Sequence, residues 1–232
     1  MKAVIIAGGC GTRLRPFTFS IPKPLLPVDE KPILEHMVLR LRALGIKDII
    51  LTLGYGAELI EAYFGGGRKF GVSIGYTRER RPLGTAGPLK LIKGLREPFL
   101  VMNGDILTRL DFRKFMTAHR RSGADLTIAA RKYSDRLPFG TVSVSGGRVT
   151  GITEKPVTEH LVSAGIYAVS PCALRRIPRE GAFTMPELVN SLLAAGRHVG
   201  MYEFSDYWLG IEKASQLEEA AQEARLLRTR PG

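Results

Sequence analysis

The 232-residue chain is 44% apolar and 24% charged, which suits one soluble globular domain with a sizeable core and excludes a disordered or low-complexity protein. Its formal net charge of +12 raises nucleic acid as a partner, yet the basic residues share amphipathic segments with acids, as in RLRALGIKD, and no nucleic-acid motif accompanies them. Cys10 and Cys172 form no CxxC, no apolar run approaches the roughly 20 residues of a membrane span, and MKAVIIAGG lacks a signal-peptide pattern, so the expectation is a cytoplasmic protein with a cationic cleft for anionic substrates, no nucleic acid and no membrane.

KAVIIA (2–7) reads as a buried strand, and GGCGTRLRP (8–16) follows it directly. Glycines without a Cβ let backbone N–H groups close in on an anion, and arginine adds a two-pronged grip on phosphate oxygens. Arg13, Arg15 and Lys23 precede the first acid, Asp29. A dinucleotide fingerprint needs a third glycine where Leu14 stands, and a Walker A loop needs Gly-Lys followed by Ser or Thr, so neither motif is present. Lys23 lies between Pro22 and Pro24, which predicts an extended backbone presenting its ammonium from a stiff loop.

Ile33, Leu34, Met37, Val38, Leu41 and Leu44 recur at helical spacing, predicting a helix over 32–44 that Gly45 ends. DIILTL (48–53) reads as a strand, 57–64 as a short helix, and VSIGYT (72–77) as a strand. A helix is predicted near 86–95, with Pro88 in its first turn and Thr85 as its cap, then the strand PFLVMN (98–103). In RRPLGTAGPLKL, Gly84 and Gly87 allow a flat base to approach the backbone. This alternation predicts a Rossmann-like, mostly parallel sheet flanked by helices on both faces.

From about 124 the pattern turns β-rich in DLTIAAR, GTVSVSGGRVTGIT and HLVSAGIYAV, with SGG (145–147) as a hairpin turn. Helices are predicted at 184–195 and at 213–228, the latter with Leu217, Ala220, Ala224 and Leu227 on one face. Asp105 in VMNGD, just past a strand, is either a turn carboxylate or a ligand for Mg²⁺. In TEKP, Glu154 suits hydroxyl groups and Lys155 a phosphate, although an exposed Glu-Lys turn is the more common fate of such a pair in isolation. Because ligands sit beyond the carboxyl ends of parallel strands, the placement of GGCGTR and NGD after strands favours function.

With these residues in hand, the chain resembles the nucleotide-sugar pyrophosphorylases (sugar-1-phosphate nucleotidyltransferases) over nearly its full length. AGGCGTRLRPFT, PKPLLPV, KPILEH, LGTAGPL, NGD, FGTV, EKP, AGIY and YWLGI carry the likeness. EHMVLRLRALGI and RPLGTAGPL most resemble the mannose-1-phosphate guanylyltransferase branch, with heptose- and muramate-1-phosphate enzymes close by. The resemblance implies a GT-A-like fold in one domain: a nucleotide-binding half over about 1–123, a β-rich sugar-binding part over about 124–170, closing helices over 171–232, and no left-handed β-helix domain. It implies Mg²⁺-dependent transfer from an NTP, with GTP favoured, to a sugar 1-phosphate; a homodimer is left open.

By the same resemblance, Ala7, Gly8, Gly9 and Gly11 line the nucleotide, Thr12, Arg13 and Lys23 meet its phosphates, and Gly84, Thr85 and Ala86 lie near the base. Asp105 is implied as the metal ligand, Asn103, Gly140, Glu154 and Ser163 border the sugar, and Lys155 binds the sugar phosphate. The implied catalytic set is Arg13, Lys23, Asp105 and Lys155. Two positions depart from the family pattern: Ser163 replaces an asparagine, and Gly210 replaces a second metal-binding aspartate. Asp206, four residues from Gly210 along an extended chain, lies roughly 13 Å away and is a poor substitute. Two readings stay open: an enzyme using one carboxylate with phosphates and water, or a catalytically weak or silent nucleotide-sugar-binding regulatory subunit.

Overall fold

A computed structural model describes the backbone of residues 1–229 and the side chains of residues 1–225. In chain order the elements are β1 (Lys2–Ala7), β2 (Pro27–Val28), β3 (Lys31–Pro32), α1 (Ile33–Ala43), β4 (Asp48–Leu53), α2 (Ala57–Phe64) and β5 (Ser73–Arg78). There follow β6 (Phe99–Asn103), β7 (Ile106–Thr108), α3 (Phe112–Ser122), β8 (Leu126–Arg136), β9 (Thr141–Ser145), β10 (Arg148–Thr153) and β11 (Val157–Val169). The chain closes with α4 (Met185–Ala194), β12 (Val199–Glu203), β13 (Trp208–Gly210) and α5 (Ala214–Thr229).

Seven strands form the central sheet in the order β12-β8-β11-β6-β1-β4-β5. All run parallel except β11, which is antiparallel to both β6 and β8. The strands are apolar on both sides because helices cover both faces. Ala3 and Ile5 pack with Leu34, Val38, Ile60 and Phe115 on one side, while Val4 and Val101 pack with Leu188 and Leu192 on the other. The Rossmann-like α/β expectation holds, and the carboxyl ends of β1 and β6 open together onto one crevice.

Several local expectations need correction. The helix near 86–95 is only a five-residue 3₁₀ stretch, Gly87–Leu91. Pro88 supplies no amide, the Ala86 and Gly87 amides both donate to Phe183 O at 2.8 Å, and Ile92 is extended. Thr85 caps no helix of its own; its Oγ1 accepts from the Met185 amide at the start of α4. Helix α3 is an addition: Phe112, Phe115, Met116 and His119 form its buried stripe, and Asp111 caps it by accepting from the Arg113 and Lys114 amides. The 171–232 segment is also more than helices, since β12 extends the sheet edge and β13 pairs with β7. In α5, Ala220 and Ala224 are buried as expected, while the side chain of Leu227 lies outside the described residues.

The ends of β8 and β11 extend beyond the sheet with the β9–β10 hairpin to form an arm. Gly146 and Gly147, at φ 55° and 75°, make the two-residue hairpin turn. Val142, Val144, Val149 and Ile152 in the hairpin are all exposed.

Before β8, Asp125 ties three segments together. Its Oδ1 accepts from Arg197 at 2.6 Å and from Cys172 Sγ at 2.8 Å, while its amide donates to His198 O. The Arg197 guanidinium holds this carboxyl below its ordinary range. A depressed carboxyl stabilises the fold above the unfolded value near 3.9 and loses that contribution as pH falls through the folded value. Asp125→Asn is therefore expected to cost about 1–2 kcal/mol at pH 7, with the gap to wild type closing below about pH 4. Urea titrations of both proteins across that range would show a constant gap if the charge were irrelevant.

Candidate functional site

The floor of the site is the turn after β1. Gly8 is pressed against the turn after β4: its carbonyl accepts from the Tyr55 amide, and a Cβ there would lie 2.5 Å from Glu79 Oε1. Gly11 is left-handed at φ 60°, and a Cβ would meet Thr18 Cγ2 at 2.9 Å and Lys23 Cβ at 3.0 Å. Gly11 requires glycine for its backbone angle, while a side chain at Gly8 would have to push the Glu79 carboxylate aside. Leu14, at the position a dinucleotide motif gives to glycine, is buried and pins the turn to the core. Its neighbour Arg13 thereby points to the open side, 69% exposed, and pairs with Glu212 at 2.6 Å.

Lys23 is not extended as its proline neighbours suggest. It begins the 3₁₀ turn Lys23–Leu25, closed by Leu25 N to Pro22 O and Leu26 N to Lys23 O. Those two hydrogen bonds outweigh the bias before proline. The turn directs the Lys23 ammonium inward, where it donates to Asp105 Oδ2 at 2.5 Å. Asp105 stands just past β6, held by a backbone bond from Gly104 N to Ile6 O on one side and from Ile211 N to its own carbonyl on the other.

Three adjoining cavities surround these groups. One of about 200 Å³ is lined by Ala7, Gly9, Gly11, Lys23, Thr85, Asn103 and Asp105, among others. A second of about 200 Å³ runs along Gly11, Thr12, Arg13, Leu14, Lys23 and Glu212. The largest, about 630 Å³, includes Asn103, Asp105, Arg131, Ser163, Trp208, Gly210 and Glu212 in its wall. Shared walls make them one cleft: Gly11 and Lys23 border the first two, Asn103 and Asp105 the first and third, and Glu212 the second and third.

The remaining expected residues fall in two groups. Gly84, at φ 78°, is packed against Phe183, where a Cβ would come within 2.6 Å of the carbonyl oxygen, and Ala86 is buried. Of that loop, Thr85 is the member that lines the cleft. Ser163 begins the irregularity in the β8–β11 ladder, with its Oγ donating to the Tyr167 hydroxyl and accepting from the Gly165 amide. Gly140, Glu154 and Lys155 sit on the arm and line none of the three cavities. Glu154 Oε2 lies 3.0 Å from the place a Gly140 Cβ would take, and Lys155 holds a left-handed φ of 44°. A left-handed non-glycine residue stores strain of the kind that gathers at ligand sites.

Sequence reasoning missed Glu79, Arg131, Trp208 and Glu212 as cleft or near-cleft groups. Glu79 accepts from the Leu83 amide at 2.7 Å, and burial pushes its carboxyl upward. Arg131 donates to Trp208 O and lies over the indole ring, whose Nε1 donates to Ala164 O. Its place after the apolar run LTIAA was the available signal. Among the described residues no three His, Cys, Asp or Glu side chains gather into a metal cage. The oxygen donor at Asp105 instead suits a hard divalent cation that keeps water and phosphate oxygens in its shell.

The family model described as nucleotidyl transferase matches residues 2–225. The catalytic subunit beta of mannose-1-phosphate guanylyltransferase from Danio rerio is 36% identical over 220 residues, covering 91% of this chain and 61% of its own length. The chain thus spans about three fifths of that relative. A Bacillus anthracis structure, provisionally titled a glucose-1-phosphate thymidylyltransferase in complex with sucrose, has a TM-score of 0.78 at 25% identity, covering 100% of this chain and 97% of its own. HddC from Yersinia pseudotuberculosis gives 0.74 at 26% identity, over 96% of this chain and 99% of its own. The cation-lined cleft at the ends of β1 and β6 therefore sits in a chain that belongs to the nucleotidyl transferase family.

Proposed function

We propose that this chain transfers a nucleotidyl group from an NTP to a sugar 1-phosphate, releasing pyrophosphate. GTP and mannose 1-phosphate, or a related hexose or heptose 1-phosphate, are the favoured pair, in line with the names of its relatives. The observation that carries the reading is the convergence of the glycine turn, Arg13, Lys23 and Asp105 on one cleft.

In this reaction an oxygen of the sugar phosphate attacks the α-phosphorus. The bond to the bridging α–β oxygen breaks, and its electron pair leaves with pyrophosphate. The attacking group is already an anion, so no strong general base is required; positioning and charge neutralisation do the work. Ala7, Gly8, Gly9, Gly11 and Thr12 form the wall on which the nucleotide lies, with Thr85 on the base side and Gly84 and the buried Ala86 supporting it from behind. Lys23 and Arg13 receive the charge that develops on the leaving pyrophosphate. Asn103, Gly140, Glu154 and Ser163 border the sugar, and Lys155 steers the attacking phosphate from the arm. Mg²⁺ bound at Asp105 would supply further neutralisation of phosphate charge.

Pyrophosphate release measured over a panel of NTPs and sugar 1-phosphates, with and without EDTA, tests this. GTP with mannose 1-phosphate should give the fastest release, and EDTA should remove it. Binding of nucleotide sugars with no release from any pair would instead support the silent regulatory subunit, a reading the relatives' catalytic names do not favour.

A further inference from the structure

We infer that Glu212 is the second carboxylate of the divalent-cation site, parked on Arg13 until the nucleotide arrives. This rests on the nucleotidyl-transfer reading and adds a residue to it.

β13 lies antiparallel to β7, with Gly210 opposite Ile106, and the Ile211 amide donates to Asp105 O at 2.9 Å. That pairing lays residues 210–212 alongside the Gly104–Asp105 turn. Ile211 is fully buried and anchors the segment. Gln216 Oε1 accepts from both the Glu212 and Lys213 amides, at 2.6 and 2.8 Å, so the backbone carrying Glu212 is fixed. Glu212 then shares the largest cavity with Asp105 and a smaller one with Arg13 and Lys23. Asp206 is exposed and lies before β13, while Gly210 brings no donor.

Two matched pairs therefore stand in the cleft: Lys23 with Asp105, and Arg13 with Glu212. A polyphosphate competes for both cations, because phosphate oxygens offer a guanidinium and an ammonium more charge than a carboxylate does. When it takes them, two carboxylates are left facing the same phosphates. A divalent cation of the Mg²⁺ class, which takes one or two carboxylates together with phosphate oxygens and water, restores the balance. The exchange gives each side-chain cation and each carboxylate a new partner of opposite charge and places the metal cation between acid and phosphate.

The test measures binding rather than turnover. The affinity of guanosine 5′-[α,β-methylene]triphosphate is determined by calorimetry with Mn²⁺ and with EDTA, and the ratio of the two is the metal's contribution. Glu212→Gln should reduce that ratio at least about 10-fold, the lower end of what even an outer partner of a metal ligand is worth. Its affinity in EDTA should hold or rise, because Arg13 is released. Gly210→Asp added to this variant should restore the ratio, since a Cβ at 210 meets only Trp208 ring atoms at 3.5 Å, an ordinary contact. If Glu212→Gln tightens binding equally with and without Mn²⁺, Glu212 only competes with phosphate for Arg13 and the inference is wrong. If wild type binds the analogue in neither condition, the nucleotide site itself is wrong.

Discussion

Asp105→Asn is expected to lower pyrophosphate release by about 10³-fold, the upper end of what loss of one preorganised charge interaction costs. The asparagine keeps the shape of the side chain, so the turn after β6 stays in place through Gly104 N to Ile6 O and Ile211 N to the residue 105 carbonyl. What disappears is a full negative charge opposite Lys23 and any metal-ligating carboxylate at that point. The carboxylate is 30% exposed, and the pair it forms with Lys23 contributes about 1 kcal/mol or less to stability. Melting temperature should therefore move little, while nucleotide binding in EDTA should hold or tighten as Lys23 loses its acid partner. Steady-state kinetics set beside thermal melts separates these effects. Turnover within about tenfold of wild type, a change of about 1.4 kcal/mol in barrier, would take Asp105 out of the reaction.

Arg13→Ala is expected to cost about 10²–10³ in kcat/KM, through lost stabilisation of the leaving pyrophosphate. Its effect on folding should stay within about 0.5 kcal/mol, because the side chain is 69% exposed and surface ion pairs add little. Leu14, rather than Arg13, holds the turn to the core, which is why chemistry and stability separate here. Arg13→Lys should fall between the two, keeping charge but losing the fork that grips two oxygens. Equal, modest losses in activity and melting temperature for Arg13→Ala would make it a surface ion pair and nothing more.

Much of the fold was legible because buried parallel strands announce themselves as unbroken apolar runs. KAVIIA, DIILTL and the 98–103 run became β1, β4 and β6 with boundaries almost unchanged. Helix α3 was not legible, since its apolar stripe of two phenylalanines, a methionine and a buried histidine is diluted by four arginine and lysine residues. The 86–95 segment failed the other way: its helical spacing lost to Pro88 and to amides already committed to Phe183 O. The cleft followed the same logic. Arg13, Lys23 and Asp105 stand directly in short motifs, whereas Glu212 gains its place through the pairing of β13 with β7, a contact across a hundred residues that local sequence does not record. Arg131 and Trp208 meet for a similar reason, between β8 of the central sheet and β13 of the β7–β13 pair rather than along the chain.

The arm bears on how such a protein diversifies. Its hairpin residues face water on both sides, so exchanging them removes almost no packing, in contrast to the glycine turn, where the left-handed Gly11 is crowded by Thr18 and Lys23. Mutational drift can therefore run freely through the part proposed to meet the acceptor while the proposed donor grip stays locked. New acceptors become reachable by small, independent steps, none of which must first be rescued by a compensating change in the core.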